Sequence, residues 1–178
     1  MKFIKDLLFF EINTTGPNPD RDSTVQLAAV LLDKDNLLEK SNFNSYIRTS
    51  YLDSVILEHS KMLRVSPEIL KKSPKIYDVI KNFHKQFGTD LLLASYNVTN
   101  LLFLKNAFKK AAVVFDYDYH FLELWTLGYI YTIRYGLKKM PSFHTFRDFF
   151  RLKQQNSNDA LERVRLEVEI FRKIIKEA

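Results

Sequence analysis

The sequence predicts an α/β fold in which a mixed five-stranded sheet is flanked by helices. Three observations carry that expectation. Two apolar runs near the start, 7–12 (LLFFEI) and 24–32 (TVQLAAVLL), are bounded by charge and by turn-forming residues. From residue 66 onwards, apolar residues recur at helical spacing. Further short apolar runs at 91–95 and 112–116 interrupt those helices, so strands and helices alternate.

In order along the chain, residues 7–12 read as a buried strand, followed by the loop NTTGPNPDRD. Residues 24–32 make a second strand and 37–47, with Phe43, Tyr46 and Ile47, a third, so an antiparallel meander opens the fold. Ser66-Pro67-Glu68 and Ser73-Pro74 each place a capping hydroxyl before a proline at a first helical position. The second of these opens a helix with Ile76, Val79, Ile80 and Phe83 on one face. Residues 91–95 (LLLAS) form a strand and 100–110 a helix; 112–116 (AVVFD) is expected to be the fifth strand. Helical segments follow near 120–134 and 142–151. The last helix, about 158–176, buries Leu161, Val164, Val168, Phe171 and Ile175.

The chain has 178 residues, a length that predicts one domain over 1–178. Its 46% hydrophobic and 27% charged residues are those of a globular protein. With no cysteine, disulfides, thiol nucleophiles and cysteine-based zinc sites are excluded. The four histidines, at 59, 84, 120 and 144, never fall at ligand spacing. No apolar stretch reaches the roughly 18 residues that span a bilayer, and Asp6 and Glu11 interrupt any leader-like segment. A cytoplasmic protein that does not enter membranes is therefore expected. The net charge of +6 suits a nucleic-acid partner but does not by itself establish one.

The stretch FFEINTTGPNPDRDSTVQLAAVLLD resembles the first motif of the DEDD-type (DnaQ-like) 3′–5′ exonucleases. Thr14-Thr15-Gly16 and Gln26-Leu27-Ala28-Ala29-Val30 stand in register with it. Tyr46-Ile47-Arg48, Ser66-Pro67-Glu68-Ile69-Leu70, Tyr96-Asn97 before Phe103-Leu104, and Ala160-Leu161 then follow in the family's order. The resemblance spans essentially the whole chain and implies a ribonuclease-H-like fold. The family's chemistry uses four carboxylates to hold two Mg²⁺ or Mn²⁺ ions, with a histidine as general base. Carried over residue by residue, Glu11 and Asn13 stand where the family has aspartate and glutamate, and Asn100 where it has the second-motif aspartate. Asn158 stands at the base, and Arg163 at the last metal-binding aspartate. Where four carboxylates would supply −4, Glu11 and Arg163 sum to zero. Magnesium needs anionic oxygen, so the expectation is a catalytically silent domain with no metal cofactor.

Each position also has a structural reading. Glu11 lies mid-strand among Phe9, Phe10 and Ile12, and is expected either to pair with Arg163 or to leave Arg163 pointing to solvent. Asn158 is a good helix cap, with Asn156 and Ser157 as rivals. Asn13 and Asn100 are expected to bond each other or water, and Asp116 and Asp118 to cap or be solvated. By the resemblance, Thr14, Thr15, Tyr96 and Asn97 match positions that hold a 3′-terminal nucleotide, and Pro17 stands where the family often carries an apolar wedge. Lys105, Lys109, Lys110, Lys138, Lys139, Arg147 and Arg151 form a candidate phosphate-contacting stripe, with Arg147 and Arg151 on one helix face. The implied partners are single-stranded nucleic acid or its 3′ end, or a protein such as a DNA polymerase. Alternatives are an active exonuclease with a rearranged metal site recruiting Asp116, Asp118 or Asp159, and a structural subunit of a polymerase-like assembly.

Overall fold

The computed structural model describes residues 2–48, 53–153 and 158–176. Strands β1 (Leu7–Thr14), β2 (Thr24–Leu32) and β3 (Glu39–Tyr46) form the expected antiparallel meander. Strand β4 (Leu92–Ser95) joins the other side of β1 in parallel, and β5 (Phe121–Glu123) runs parallel to β4. The order β3-β2-β1-β4-β5 puts β1 near the centre of the five-stranded mixed sheet, the ribonuclease-H-like arrangement. Every residue of β1 from Leu7 to Asn13 is buried. A strand covered on both faces reads as a continuous apolar run rather than an alternating one.

The two-residue repeat of β1 sorts its side chains between two cores. Leu7 and Phe9 face the layer built from α5 (Leu124–Arg134), α6 (Phe143–Phe149) and α7 (Ala160–Lys176). Leu8, Phe10 and Ile12 face α3 (Ile76–Phe87) and α4 (Val98–Lys110). By the same parity, Glu11 and Asn13 fall on the α7 side, as Gln26 of β2 does beside Ala28 and Val30. Helix α7 seals that side with Val164, Ile170, Phe171 and Ile174, all buried. Burying an apolar side chain of this size contributes about 1.5–3 kcal/mol, so Phe171, packed against Phe9 at 5.0 Å between ring centroids, is a principal anchor.

The fifth strand is not where the apolar run 112–116 placed it. Ala112 takes a left-handed conformation (φ 52°) just past α4, and the chain then runs irregularly. Val113 and Phe115 pack onto the α3–α4 core as loop residues. Pairing with β4 falls to Phe121–Glu123 instead, which shortens the helix expected over 120–134 to α5. Ser73 does not cap α3 either. It ends α2 (Pro67–Lys72), its hydroxyl donating to Ile69 O at 2.7 Å, and α3 begins two residues later than the proline motif suggests. Ser66 precedes Pro67 at the start of α2, but its side chain makes no cap bond. Helix α1 (Asp53–Leu63) goes beyond the sequence-based reading. Its inward stripe alternates Ile56 and Leu63 with the polar His59 and Ser60, which hides the apolar period. Arg151, with φ 53°, lies beyond the end of α6 and so shares no helix face with Arg147. Among the described residues, no helix is long and apolar enough to cross a membrane.

Candidate functional site

At the carboxyl ends of β1 and β4, where open α/β sheets place their ligands, a cleft of about 470 Å³ is lined by Glu11, Asn13, Thr14, Asn97, Asn100, Asn158 and Arg163, with Pro17 and Met62 among its apolar walls. The sheet parity described above delivers Glu11 and Asn13. Asn97 and Asn100 come from the start of α4, where the Asn97 side chain accepts the Asn100 backbone N–H at 3.3 Å as the N-cap. Arg163 comes from the first turn of α7. Five positions scattered over more than 150 residues of sequence thus converge on one cavity.

Their polar atoms form a connected network. Arg163 Nη2 pairs with Glu11 Oε1, and Asn100 Nδ2 donates to Glu11 Oε2. The second Asn100 amide proton goes to Ser95 Oγ at 2.7 Å. Asn13 and Asn100, expected to bond each other or water, do not bond each other. Asn13 Nδ2 donates to Gln26 Oε1 and to the Asn158 carbonyl, both at 2.7 Å, while its Oδ1 accepts from Arg163 Nη1 at 3.2 Å. Glu11 is 1% exposed and Arg163 keeps 31% of its side chain open to the cleft. The arginine is further held by the ring of Phe143, 5.7 Å beneath its guanidinium carbon, a ring that packs at 4.3 Å on Tyr96.

Asn158 does not cap α7. Its amide donates to Met62 O of α1 at 2.9 Å. Capping falls to Asp159, whose Oδ1 accepts the backbone N–H groups of Leu161 (2.9 Å) and Glu162 (3.0 Å). The rival caps Asn156 and Ser157 lie outside the described residues. Of the residues matched to nucleotide-holding positions, Thr14 and Asn97 line the cleft. Thr15 Oγ1 instead accepts the Ser23 N–H at 2.9 Å, closing the loop after β1, and Tyr96 is buried behind Phe143. A Cβ on Gly16 would meet the Asp22 carboxylate at 2.5 Å, and Asp22 accepts the Asn18 N–H, so the glycine lets this loop fold on itself. Asp116 pairs with His84 at 3.0 Å and Asp118 with His120 at 2.7 Å; neither lines the cleft.

Two site residues escaped the sequence reading. Glu167, fully buried on α7, lies beside Glu11, Arg163 and the backbone of Tyr96. Burial above all, and then the neighbouring Glu11 charge, pushes its carboxyl well above the ordinary value. The signal was present: 160, 164, 167 and 171 form one helical stripe, and Glu167 is its lone acid. Phe143 carried no signal separable from a core aromatic.

A pair of divalent ions does not fit this donor set. Among the described residues, Glu11 is the one carboxylate lining the cleft, and both its oxygens are engaged by Arg163 and Asn100. Asn100 turns its N–H groups to Glu11 and Ser95, Asn13 spends its oxygen on Arg163, and the guanidinium occupies the centre. Among the described residues, no group of three or more His, Asp or Glu side chains could hold a metal ion.

A model of the exonuclease family, RNase T type, matches residues 9–170. A stretch of 102 residues is 28% identical to the PolC-type DNA polymerase III of Bacillus subtilis (strain 168), covering 57% of this chain and 7% of that protein. The chain thus spans less than a tenth of the polymerase it matches. Among solved structures, cell-death related nuclease 4 (CRN-4) superposes with a TM-score of 0.83 at 14% identity, over 99% of this chain and 65% of that one. The nuclease domain of 3′hExo, a DEDDh family member solved bound to rAMP, superposes with a TM-score of 0.74 at 12% identity, over 98% and 93%. At these identities the structural likeness speaks for the fold.

Proposed function

Since the chain belongs to the RNase T exonuclease family, we propose that it is a catalytically silent member that holds the 3′ end of a single-stranded nucleic acid without cleaving it. The observation that carries this reading is the Arg163–Glu11 pair at the heart of the cleft. Hydrolysis in the family needs metal-activated water and a general base. Here Asn158 offers no basic nitrogen, and the guanidinium neutralises the carboxylate that would bind an ion. A neutral cleft lined by amides and one half-open arginine is nevertheless suited to a phosphodiester. Arginine presents a planar fork of donors to phosphate, and among the described residues Arg163 Nε has no partner. Asn97, Thr14 and the half-buried guanidinium then grip the terminal nucleotide, and the cytoplasmic setting belongs to the same proposal.

The reading supports binding without divalent ions. Labelled single-stranded DNA and RNA are incubated with the protein, with magnesium, manganese or EDTA, and both trimming and binding are measured. Binding that persists in EDTA, with no trimming in either metal and weakened by Arg163→Gln, is the expected result. Metal-dependent shortening from the 3′ end overturns it and restores the rearranged-site alternative. The similarity to part of a polymerase favours a second reading, a structural or interaction module of a polymerase-like assembly. That reading requires no strand binding and predicts that a polymerase is retained on the immobilised protein instead.

A further inference from the structure

We propose that residues 134–153 form a second contact for single-stranded nucleic acid, a basic and aromatic track that continues from the cleft. The inference rests on the reading above for where the strand ends, and adds where the rest of it lies. Of the net charge of +6, this stretch of twenty residues carries +5: Arg134, Lys138, Lys139, Arg147, Arg151 and Lys153 stand against Asp148 alone. The remaining 158 residues are left with +1, so the charge that marks the whole chain as basic is concentrated in one place. All six cations except Arg147 are exposed.

Three further observations distinguish this patch from a merely solvated face. Lys138 and Lys139 share one hollow of about 430 Å³ with His144, Phe149 and Asp148, the last paired with Arg147 at 2.8 Å, so the lysines wall a concave surface rather than radiate from a convex one. Two rings of the same stretch are exposed, Phe149 at 45% in the hollow and Tyr135 at 42%, the latter with the Arg134 guanidinium 5.7 Å over its face. Both are braced from below by the buried Tyr131, whose ring lies 6.1 Å from Phe149 and 4.4 Å from Tyr135. Exposed rings on a rigid base, interleaved with cations, are what a single strand needs: bases stack on the rings and phosphates meet the lysines. Finally, one short helix links the patch to the cleft's edge. Helix α6 begins at Phe143, which underlies Arg163, and ends at Phe149 in the hollow. Its seven residues span about 10 Å, a distance that a strand leaving the cleft covers in a few nucleotides.

The test compares two probes on the full chain by fluorescence anisotropy: a dinucleotide, which reaches only the cleft, and an oligothymidylate of about 12 nucleotides, within the site sizes of single-strand binders. The double variant Lys138→Glu/Lys139→Glu is expected to weaken the long probe at least tenfold, with the slope of log affinity against log salt reduced by about 1.4 for two lost phosphate contacts. Phe149→Ala is expected to weaken it about fivefold or more through lost stacking. Dinucleotide affinity stays at the wild-type value in all of these, and falls instead in Arg163→Gln. Long-probe affinity unchanged by the lysine reversal overturns the track. So does a patch that polyglutamate blocks and Phe149→Ala leaves intact, which marks a surface for an acidic protein. Loss of dinucleotide binding while the long probe still depends on Lys138 and Lys139 separates failure of the cleft reading from failure of this one.

Discussion

Gln26 on β2 accepts a hydrogen bond from the backbone N–H of Ala160, the first residue of α7 and 134 positions further along the chain, at 3.2 Å. The same carboxamide oxygen takes the Asn13 amide, and its nitrogen donates to Asn44 Oδ1 and Asp159 Oδ2, both at 3.0 Å. A fully buried glutamine thus has both ends satisfied and pins the start of the last helix to the sheet. This junction sets where Arg163, one turn later, enters the cleft.

Gln26→Leu keeps volume but strips four partners of their bonds, and buried groups left unpaired cost about 1–3 kcal/mol each where no water replaces the bond. A loss of about 2–4 kcal/mol in denaturant unfolding is expected, with faster hydrogen exchange at the Ala160 amide than elsewhere in α7. Uniform exchange along the helix would show that Gln26 does not hold this end.

Arg163→Ala leaves Glu11 as an uncompensated charge in a dry setting. Breaking a buried pair from one side typically costs about 3–5 kcal/mol. Adding Glu11→Gln should recover a large part of that loss, because the second change removes the stranded charge. A cycle of the two single variants and the double variant, read by urea unfolding, measures the coupling, and additive effects would mean that the two side chains do not act as a pair.

Glu167 makes stability depend on pH in a stated direction. Its carboxyl is held well above the ordinary 4.5 by burial and by Glu11, so the folded chain binds that proton more tightly than the unfolded chain. The contribution is greatest in acid and is lost progressively as pH rises above 4.5 towards the raised value. Glu167→Gln keeps the shape, cannot ionise, and offers an N–H to Glu11. The variant is therefore expected to match wild type near the acid end and to exceed it increasingly towards neutral pH and above. A Tm difference of about 2–4 °C, or 1 kcal/mol for a chain of this size, is a reasonable scale. A difference that stays flat from acid to alkaline pH would contradict it.

Gly128 lets α5 and α6 approach. A Cβ there would lie 2.6 Å from Phe146 Cε2, a ring that is itself fully buried. Alanine has the better helix propensity, by about 1 kcal/mol, yet overpacking in a tight core costs about 1–3 kcal/mol. Gly128→Ala is therefore expected to be destabilising on balance, by thermal melting. Trimming the ring with Phe146→Leu in the same chain should relieve part of the cost.

Legibility in the sequence followed burial. Strands β1 and β2 announced themselves because both faces are covered and the runs are unbroken. The three-residue β5 had no such run, and Val113 and Phe115 competed for the assignment by packing as loop residues. Helix α1 was obscured by His59 and Ser60 on its inner stripe. Within the cleft, the ordered motif placed Glu11, Asn13, Asn100, Asn158 and Arg163 in advance. It could not tell that Asp159, rather than Asn158, would cap α7, since both residue types cap well and only the chain path decides. The partners of Asn13 were equally hidden, because they depend on Gln26 reaching across from the neighbouring strand.

The Glu11–Glu167–Arg163 cluster also decides what a new carboxylate in this cleft would meet. Replacing Arg163 by aspartate alone would bring a third carboxyl beside two that already crowd each other, with no ion to balance them until further ligands exist. That substitution therefore costs fold stability. Asn13 resists in the same way, since its amide bridges Gln26 and the Asn158 carbonyl, which a glutamate could not do. The fold itself thus opposes single carboxylate substitutions at positions 13 and 163, because each would break a bond that ties the sheet to α7.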